Sequence, residues 1–254
     1  MAAGSPLRAH DDLTPTLPPL SGEAARLLQL HAVSHKVRSG QEIVTAGRRC
    51  SAVFLIIEGM AVRYRMLRDG QRHILDILLP GDFADTVSCH FDKALYSIRM
   101  LTPAVVGPIP IQQFMDLFST HPQLAARLFW QFSSDSAKLS ERLIAVGRRP
   151  AKARVAYFLL ELLVRLQAVG LADNCSYRLP LTQEMIGDAL GLSVPYLNRV
   201  LHELRDDGLV QFRDQRVEIT DFEELAALAE FEDAYLRPAS LAASGRKPAW
   251  QGRA

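Results

Sequence analysis

The side chains best equipped for recognition chemistry in this chain are Tyr196, Asn198, Arg199 and His202, within the stretch LTQEMIGDALGLSVPYLNRVLHEL (Leu181–Leu204). At helical spacing they share an outward face. They are hydrogen-bond donors and stacking groups, whereas a face that only meets solvent carries a mixture of Glu and Lys. Such a set suits the base edges and backbone of a nucleic acid. Other reactive groups are sparser. Cys89 and His90 adjoin one another and suit haem iron, another metal or an oxidisable thiol, although so short a pair equally describes an ordinary loop cysteine. An iron–sulfur cluster needs about four thiolates gathered together. The chain has 3 dispersed cysteines, Cys50, Cys89 and Cys175, so no such cluster is expected, nor a disulfide framework or a CxxC metal site. There is no nucleophile–base pair, phosphate-binding glycine loop or metal-spaced ligand set, and catalysis is not expected.

A helix bearing those four side chains needs a partner to hold it proud of the surface. Gly191 interrupts a run of helix formers, and a helix-turn-helix requires a residue able to adopt positive φ where its first helix ends. Counting from Gly191, the small residue needed at the tight crossing falls on Gly187. The apolar contacts fall on Ile186, Leu190, Leu192, Leu197 and Val200. Ser193 is placed to cap the second helix through its hydroxyl, and Pro195 is tolerated in a first turn whose amides lack intrahelical partners. DDGLVQFRDQRVEIT then reads as two short alternating strands around the polar turn RDQ, a hairpin wing. An ordinary helical hairpin in a core is the bland alternative. Helix-turn-helix plus wing is far more specific than either part, and it points to DNA.

Upstream, the pattern changes character twice. From about Gln41 to Pro110, short apolar runs such as AVFLIIEG and HILDILLPG are separated by Gly47, Gly59, Gly70 and Gly81, the spacing of a many-stranded β roll or barrel, with a sandwich of coincidental spacing as the alternative. From Pro122 to Val146 the period turns helical: Ala125, Phe129, Phe132, Ser136, Leu139, Leu143 and Val146 alternate in steps of four and three. A repeat of about 3.5 residues sustained over three heptads favours a dimer seam over a helix lying on its own domain. Gly147 and Pro150 are expected to stop this helix and make a hinge. AKARVAYFLLELLVRLQ follows as a second amphipathic helix. The cluster Arg148, Arg149, Lys152 and Arg154 is either a phosphate contact or, more simply, a solvated face at a helix start.

Composition sets limits but names no partner. With 48% hydrophobic residues the chain has enough apolar surface for real cores. A net charge of +1 excludes nothing, because nucleic-acid binding needs a local basic face rather than a basic total. No stretch approaches the roughly 18 apolar residues of a membrane helix, and the start lacks the apolar block of a signal peptide. A cytoplasmic protein without membrane contact is expected.

Over about residues 21 to 222 the chain resembles the Crp/Fnr family of bacterial transcription regulators. The resemblance is carried by GQEIVTAGRRCSAVFLIIEGMAVRYRMLRDGQRHILDILLPGDF, the seam helix and LTQEMIGDALGLSVPYLNRVLHELRDDGLV. It implies an α+β chain with a cyclic-nucleotide-binding-like, jelly-roll-like β roll as sensor (21–120) and a dimerisation helix (121–147); ahead of them, residues 1–20, with four prolines and few large apolar residues, read from composition as a flexible tail. A winged helix-turn-helix (148–222) and a C-terminal helix with a flexible tail (223–254) follow. It further implies a homodimer, paired through Phe129, Phe132, Ser136, Leu139, Leu143 and Val146, that binds palindromic double-stranded DNA and contacts RNA polymerase.

By the same resemblance, Ser193–Leu204 is the recognition helix. Arg199 takes the family's base-reading position, where a bidentate contact to guanine O6 and N7 gives about 1–3 kcal/mol of discrimination. Where the family carries arginine or glutamate one turn earlier, this chain has Val194 and Pro195, suited to a thymine methyl; Asn198 and His202 add polar readout. Thr182, Gln183, Ser193 and Tyr196 are placed for phosphate. In the roll, the family's cyclic-AMP site offers glycine–glutamate to the ribose and arginine–serine to the phosphate. This chain has PGDFADTVSCHFDKALYSIRM instead. Phe83, Asp85, Tyr96, Ser97 and Arg99 are the candidate effector pocket, yet Arg99 stands in the wrong register, so a cyclic nucleotide is not expected. A ligand-sensing roll whose winged helix docks protein instead of DNA is the alternative function; the polar face around Arg199 favours DNA.

Overall fold

The computed structural model describes residues 34–237. The expected tail 1–20 and most of the expected C-terminal tail lie outside the described residues, as does the start of the sensor region. Eight strands form the roll: β1 (His35–Val37), β2 (Glu42–Val44), β3 (Ala52–Glu58), β4 (Ala61–Met66), β5 (Arg72–Leu78), β6 (Phe83–Ala84), β7 (Ser97–Met100) and β8 (Ala104–Pro110). They make two antiparallel four-stranded sheets, β1-β8-β3-β6 and β2-β7-β4-β5. The roll begins at His35, before the expected Gln41, because HKV pairs with Val106–Ala104 and is too short to show a period of its own. Val37, Val44, Ile56, Ile98, Met100 and Val106 fill the interior. At the β3–β4 turn Gly59 has φ +91°, and a Cβ there would meet Ala104 Cβ at 2.7 Å, so both conformation and space require glycine.

A short helix, α1 (Ile111–Thr120), leaves the roll; the sequence reading passed over it. It packs Phe114 against Phe83 of the roll and against Leu124 and Leu128 of the next helix. That helix, α2 (Pro122–Arg148), is 27 residues long, about 40 Å at the usual rise. It begins at the expected proline but runs through Gly147 instead of stopping there. Glycine costs a helix interior only about 1 kcal/mol, whereas Pro150 pushes the residue before it out of the helical region, and Arg149 is extended at ψ 136°.

Helix α3 (Ala151–Ala168) departs from the amphipathic expectation: every residue from Val155 to Leu166 is buried. It is the axle of the C-terminal domain, enclosed by the roll, the helix-turn-helix and the last helix. Next come β9 (Ala172–Asp173), β10 (Ser176–Arg178), α4 (Gln183–Leu190), α5 (Val194–Asp206), β11 (Val210–Arg213), β12 (Arg216–Ile219) and α6 (Phe222–Ala229). The small strands form one sheet in the order β11-β12-β10-β9. One apolar cluster crosses from roll to C-terminal domain, joining Val62, Tyr64, Ile74 and Ile77 of β4 and β5 to Leu159, Leu163, Ile186 and Leu190.

An ionic cluster lies at the same junction. Asp76 of β5, 2% exposed, accepts from Arg63 at 3.3 Å, Lys138 at 3.0 Å, Arg142 at 3.2 Å and Arg165 at 3.1 Å. Glu161, Asp135 and Asp82 complete a set of four carboxylates and four cations. Burial alone would raise the Asp76 carboxyl; Lys138, Arg165, Arg142 and Arg63 outweigh it and hold it well below the usual range. Desolvating the charges offsets most of their attraction, so the cluster fixes geometry more than it adds stability.

Candidate nucleic-acid interface

The helix-turn-helix is built as its spacing requires. Thr182 caps α4, its Oγ1 accepting from the Met185 amide at 3.2 Å. Gly191 ends that helix at φ 64°, ψ 39°, its N–H donating to the Gly187 carbonyl. A Cβ on Gly187 would stand 2.6 Å from the Leu192 carbonyl oxygen, so the crossing admits no larger residue. Ile186, Leu190, Leu197 and Val200 are buried and Leu192 packs beside them.

Ser193 occupies the N-cap of α5 in extended conformation, but its hydroxyl makes no capping bond, a correction to expectation. Pro195 at the second position has no N–H, which removes one of the two amides such a hydroxyl usually reaches. The hydroxyl is left exposed at the helix start.

Along α5 the expected face is displayed. Ser193, Pro195, Tyr196, Arg199 and His202 are exposed and Val194 and Asn198 are half-buried; Thr182 and Gln183 are exposed at the start of α4. Arg199 Cζ lies 5.8 Å from the Tyr196 ring centroid, a cation resting on an aromatic face. Arg205, absent from the expected set, contacts His202 Nδ1. Its signal was available in the spacing, since Arg199, His202 and Arg205 step by three along one side.

The wing supplies residues that sequence reasoning missed. Asp214 and Gln215, at φ 50° and 60°, make the tight turn between β11 and β12. Arg213 stands directly opposite Arg216, and Arg216 opposite Arg178 on β10, so three exposed arginines line one face of the sheet. Arg216 donates to Ser176 at 2.6 Å and lies 3.8 Å from Asp173. RDQR showed the turn, but only strand register brings Arg178 into the row.

The basic cluster after the hinge is largely consumed internally, contrary to both sequence alternatives. Arg149 stacks on Tyr157 at 4.1 Å and pairs with Glu141 at 2.9 Å. Lys152 pairs with Asp207, and Arg154 donates to the Leu190 carbonyl at 2.8 Å, closing the end of α4. Arg148 alone of the four is exposed.

The candidate effector residues do not converge. Phe83 is buried against Phe114, Leu124 and Leu128. Ser97 and Arg99 lie on the outer face of β7, since Ser97 pairs opposite Tyr64 while Ile98 and Met100 point into the roll. Arg99 is paired with Glu42 at 2.9 Å and rests 5.5 Å from the Tyr64 ring centroid; Ser97 Oγ accepts from the Ala46 amide. Tyr96 is half-buried just before that strand. Asp85, at φ 65°, is buried with Oδ2 unpartnered among the described residues, and burial raises its carboxyl. Burial also pushes the neighbouring Cys50 thiol up to about 12 and Cys89 to about 11, so neither is an activated thiolate at neutral pH. His90 beside Cys89 is exposed. Among the described residues no group of three or more His, Cys, Asp or Glu side chains is gathered as for a metal ion, and no helix is long and apolar enough to cross a membrane.

This architecture matches known proteins along most of its length. Residues 153–228 match the Crp-like helix-turn-helix domain, and residues 34–121 match the cyclic nucleotide-binding domain. The chain belongs to the Crp/Fnr family. Similar regulators include Electron transport regulator A of Shewanella oneidensis, 26% identical over 90% of this chain and 92% of that one. Transcriptional activator protein FnrA of Stutzerimonas stutzeri is 26% identical over 76% of this chain and 79% of its own. Among solved structures, FixK2 from Bradyrhizobium japonicum superposes with a TM-score of 0.68 at 24% identity, covering 78% of this chain and 96% of that one. The Crp/Fnr chain is thus a DNA-binding transcription regulator, not an enzyme.

Proposed function

We propose that the chain acts as a cytoplasmic homodimer that binds a palindromic DNA site, with α5 of each protomer in the major groove, and that it contacts RNA polymerase from there. The observation that carries this is the pair of exposed helical faces. Phe129, Phe132, Leu139, Leu143 and Val146 are all exposed on one side of α2, with Leu143 at 69% and Phe129 at 74%. Ser136 shares that side. An apolar stripe so long and regular has no reason to face water except a matching partner, and a second copy of the same helix supplies one.

In such a dimer Arg199 reads guanine, Asn198 and His202 add polar contacts, and Val194 and Pro195 meet a thymine methyl. Thr182, Gln183, Ser193 and Tyr196 hold phosphates, joined by the wing arginines Arg178, Arg213 and Arg216. The roll answers to something other than the phosphate of a cyclic nucleotide, because the arginine nearest the family's position is spent on Glu42 outside the barrel interior. Selection of bound fragments from random duplex DNA tests the whole proposal. The expected result is an inverted repeat with half-sites about one helical turn apart, roughly 34 Å; recovery of no symmetric sequence refutes it. Calorimetric titration with cyclic AMP is expected to show no binding, and saturable heat would overturn that part.

A further inference from the structure

Strand β5 makes two separate ionic contacts with the C-terminal domain, beside the apolar cluster it shares with α4. At Asp76 it holds Arg165 of α3 together with Lys138 and Arg142 of α2. Four residues earlier, about 13 Å along a strand, Arg72 holds Asp188 of α4. The Arg72 Nε and Nη2 both lie 2.7 Å from Asp188 Oδ2, and Glu184 stands 3.8 Å away. The Arg72 and Asp188 side chains are 19% and 22% exposed, so the pair is better shielded than an ordinary surface bridge.

The covalent connection between α2 and the reading domain is the extended pair Arg149–Pro150, which by itself leaves the domain free to swing. A body held at one point pivots about it; a second ionic point, together with the apolar cluster, removes that freedom. Helix α4 cannot yield independently of α5, because the Gly187–Leu192 crossing is closed to within a methyl group. What fixes α4 against the roll therefore fixes α5.

We propose that the Arg72–Asp188 ion pair is a positioning contact for DNA recognition, setting the angle at which α5 leaves the roll and so the half-site spacing that the dimer accepts. This rests on the dimeric DNA binding proposed above. Arg72 touches no base; it acts through Asp188 and the rigid crossing.

The test uses the full chain and palindromes obtained by selection, with half-site separation lengthened or shortened by one and two base pairs. Wild-type protein prefers one spacing. Arg72→Glu, which sets a third carboxylate beside Asp188 and Glu184, lowers the discrimination between best and neighbouring spacings by about threefold or more. Its melting temperature and its affinity for unrelated duplex stay near wild type. Combining Arg72→Glu with Asp188→Arg restores the wild-type profile. Arg72→Gln, which removes the charge without adding repulsion, moves the profile the same way but less. An unaltered spacing profile in Arg72→Glu overturns the proposal, as does a charge-swapped protein no nearer to wild type than the single variant. A wild-type protein without any spacing preference refutes the dimer itself, and this proposal with it.

Discussion

Along α2 the solvent-facing stripe is Phe129, Phe132, Leu139, Leu143 and Val146, while the opposite side sends Lys138 and Arg142 inward to Asp76. Along α5 the arrangement is the familiar one: Leu197, Val200 and Leu204 face the core, and Tyr196, Arg199 and His202 face outward. The two helices are inverted with respect to one another. Exposed apolar surface is stable only against a surface of its own kind, and exposed donors keep their value in water until an anionic, hydrogen-bonding partner replaces it. The proposed partners rest on this difference: a second copy of the chain for α2, DNA for α5.

The comparison breaks most severely if the stripe on α2 is disrupted. Leu139→Glu places a charge at a position 55% exposed in the single chain, so the protomer folds, but the seam is lost. Light scattering should report a monomer. A monomer reads one half-site, so affinity for the palindrome should fall by at least about a hundredfold, since specific dimeric complexes typically have Kd values near 10⁻⁸–10⁻¹¹ M. An unchanged mass would end the assignment of α2.

The inward side of α2 comes next. Asp76→Ala leaves cations of three elements without their shared carboxylate and should cost about 3–5 kcal/mol in denaturant unfolding. The cluster also sets an acid dependence. The folded Asp76 carboxyl is held below its unfolded value of about 3.9. Its stabilisation is therefore fully present above about pH 5, declines as pH falls past the unfolded value and is gone below the folded one. Asp82 and Asp85, raised by burial, work in the opposite direction and favour the folded state as they take up protons. The acid-unfolding limb should thus be shallower in Asp76→Asn than in wild type, and a curve of equal steepness would count against Asp76 as its source.

On α5, Arg199→Ala should leave the dimer intact and remove about 1–3 kcal/mol of discrimination per half-site. Fluorescence titration against cognate and scrambled duplexes measures it, and retained preference would transfer the role to another side chain. The smallest expected effect is on the crossing that carries α5. Gly187→Ala forces its Cβ against the Leu192 carbonyl and should lower stability by about 1–3 kcal/mol, or roughly 2–4 °C per kcal/mol in a chain of this size. An unshifted melting curve would show that the two helices separate more easily than the geometry indicates.

Legibility from sequence followed the range of the constraints. In the helix-turn-helix, Gly187, Gly191, Ile186, Leu190, Leu197 and Val200 lie within fifteen residues or so, and helical geometry converts that spacing directly into contacts. The apolar stripe exposed along α2 was visible for the same reason. In the roll, local alternation revealed strands but not which strand lies beside which. The candidate pocket, assembled by analogy along the chain, came apart between the two sheets: Phe83 of β6 went to the α1–α2 core, Arg99 of β7 to Glu42. Arg149, Lys152 and Arg154 looked like a surface cluster because their partners, Tyr157 aside, lie 8 to 55 residues away, at Glu141, Asp207 and Leu190.

The sequence by itself determined the modules of this protein, because helix period, turn glycines and the chemistry of an outward face are written within a few turns of chain. Only the tertiary structure decided how the modules meet: α3 as a buried axle, Asp76 shared by four cations, Arg72 reaching α4, three wing arginines drawn into one row. Those contacts join residues far apart in sequence, and nothing local records which of many equally charged side chains will find one another once the apolar surfaces have closed.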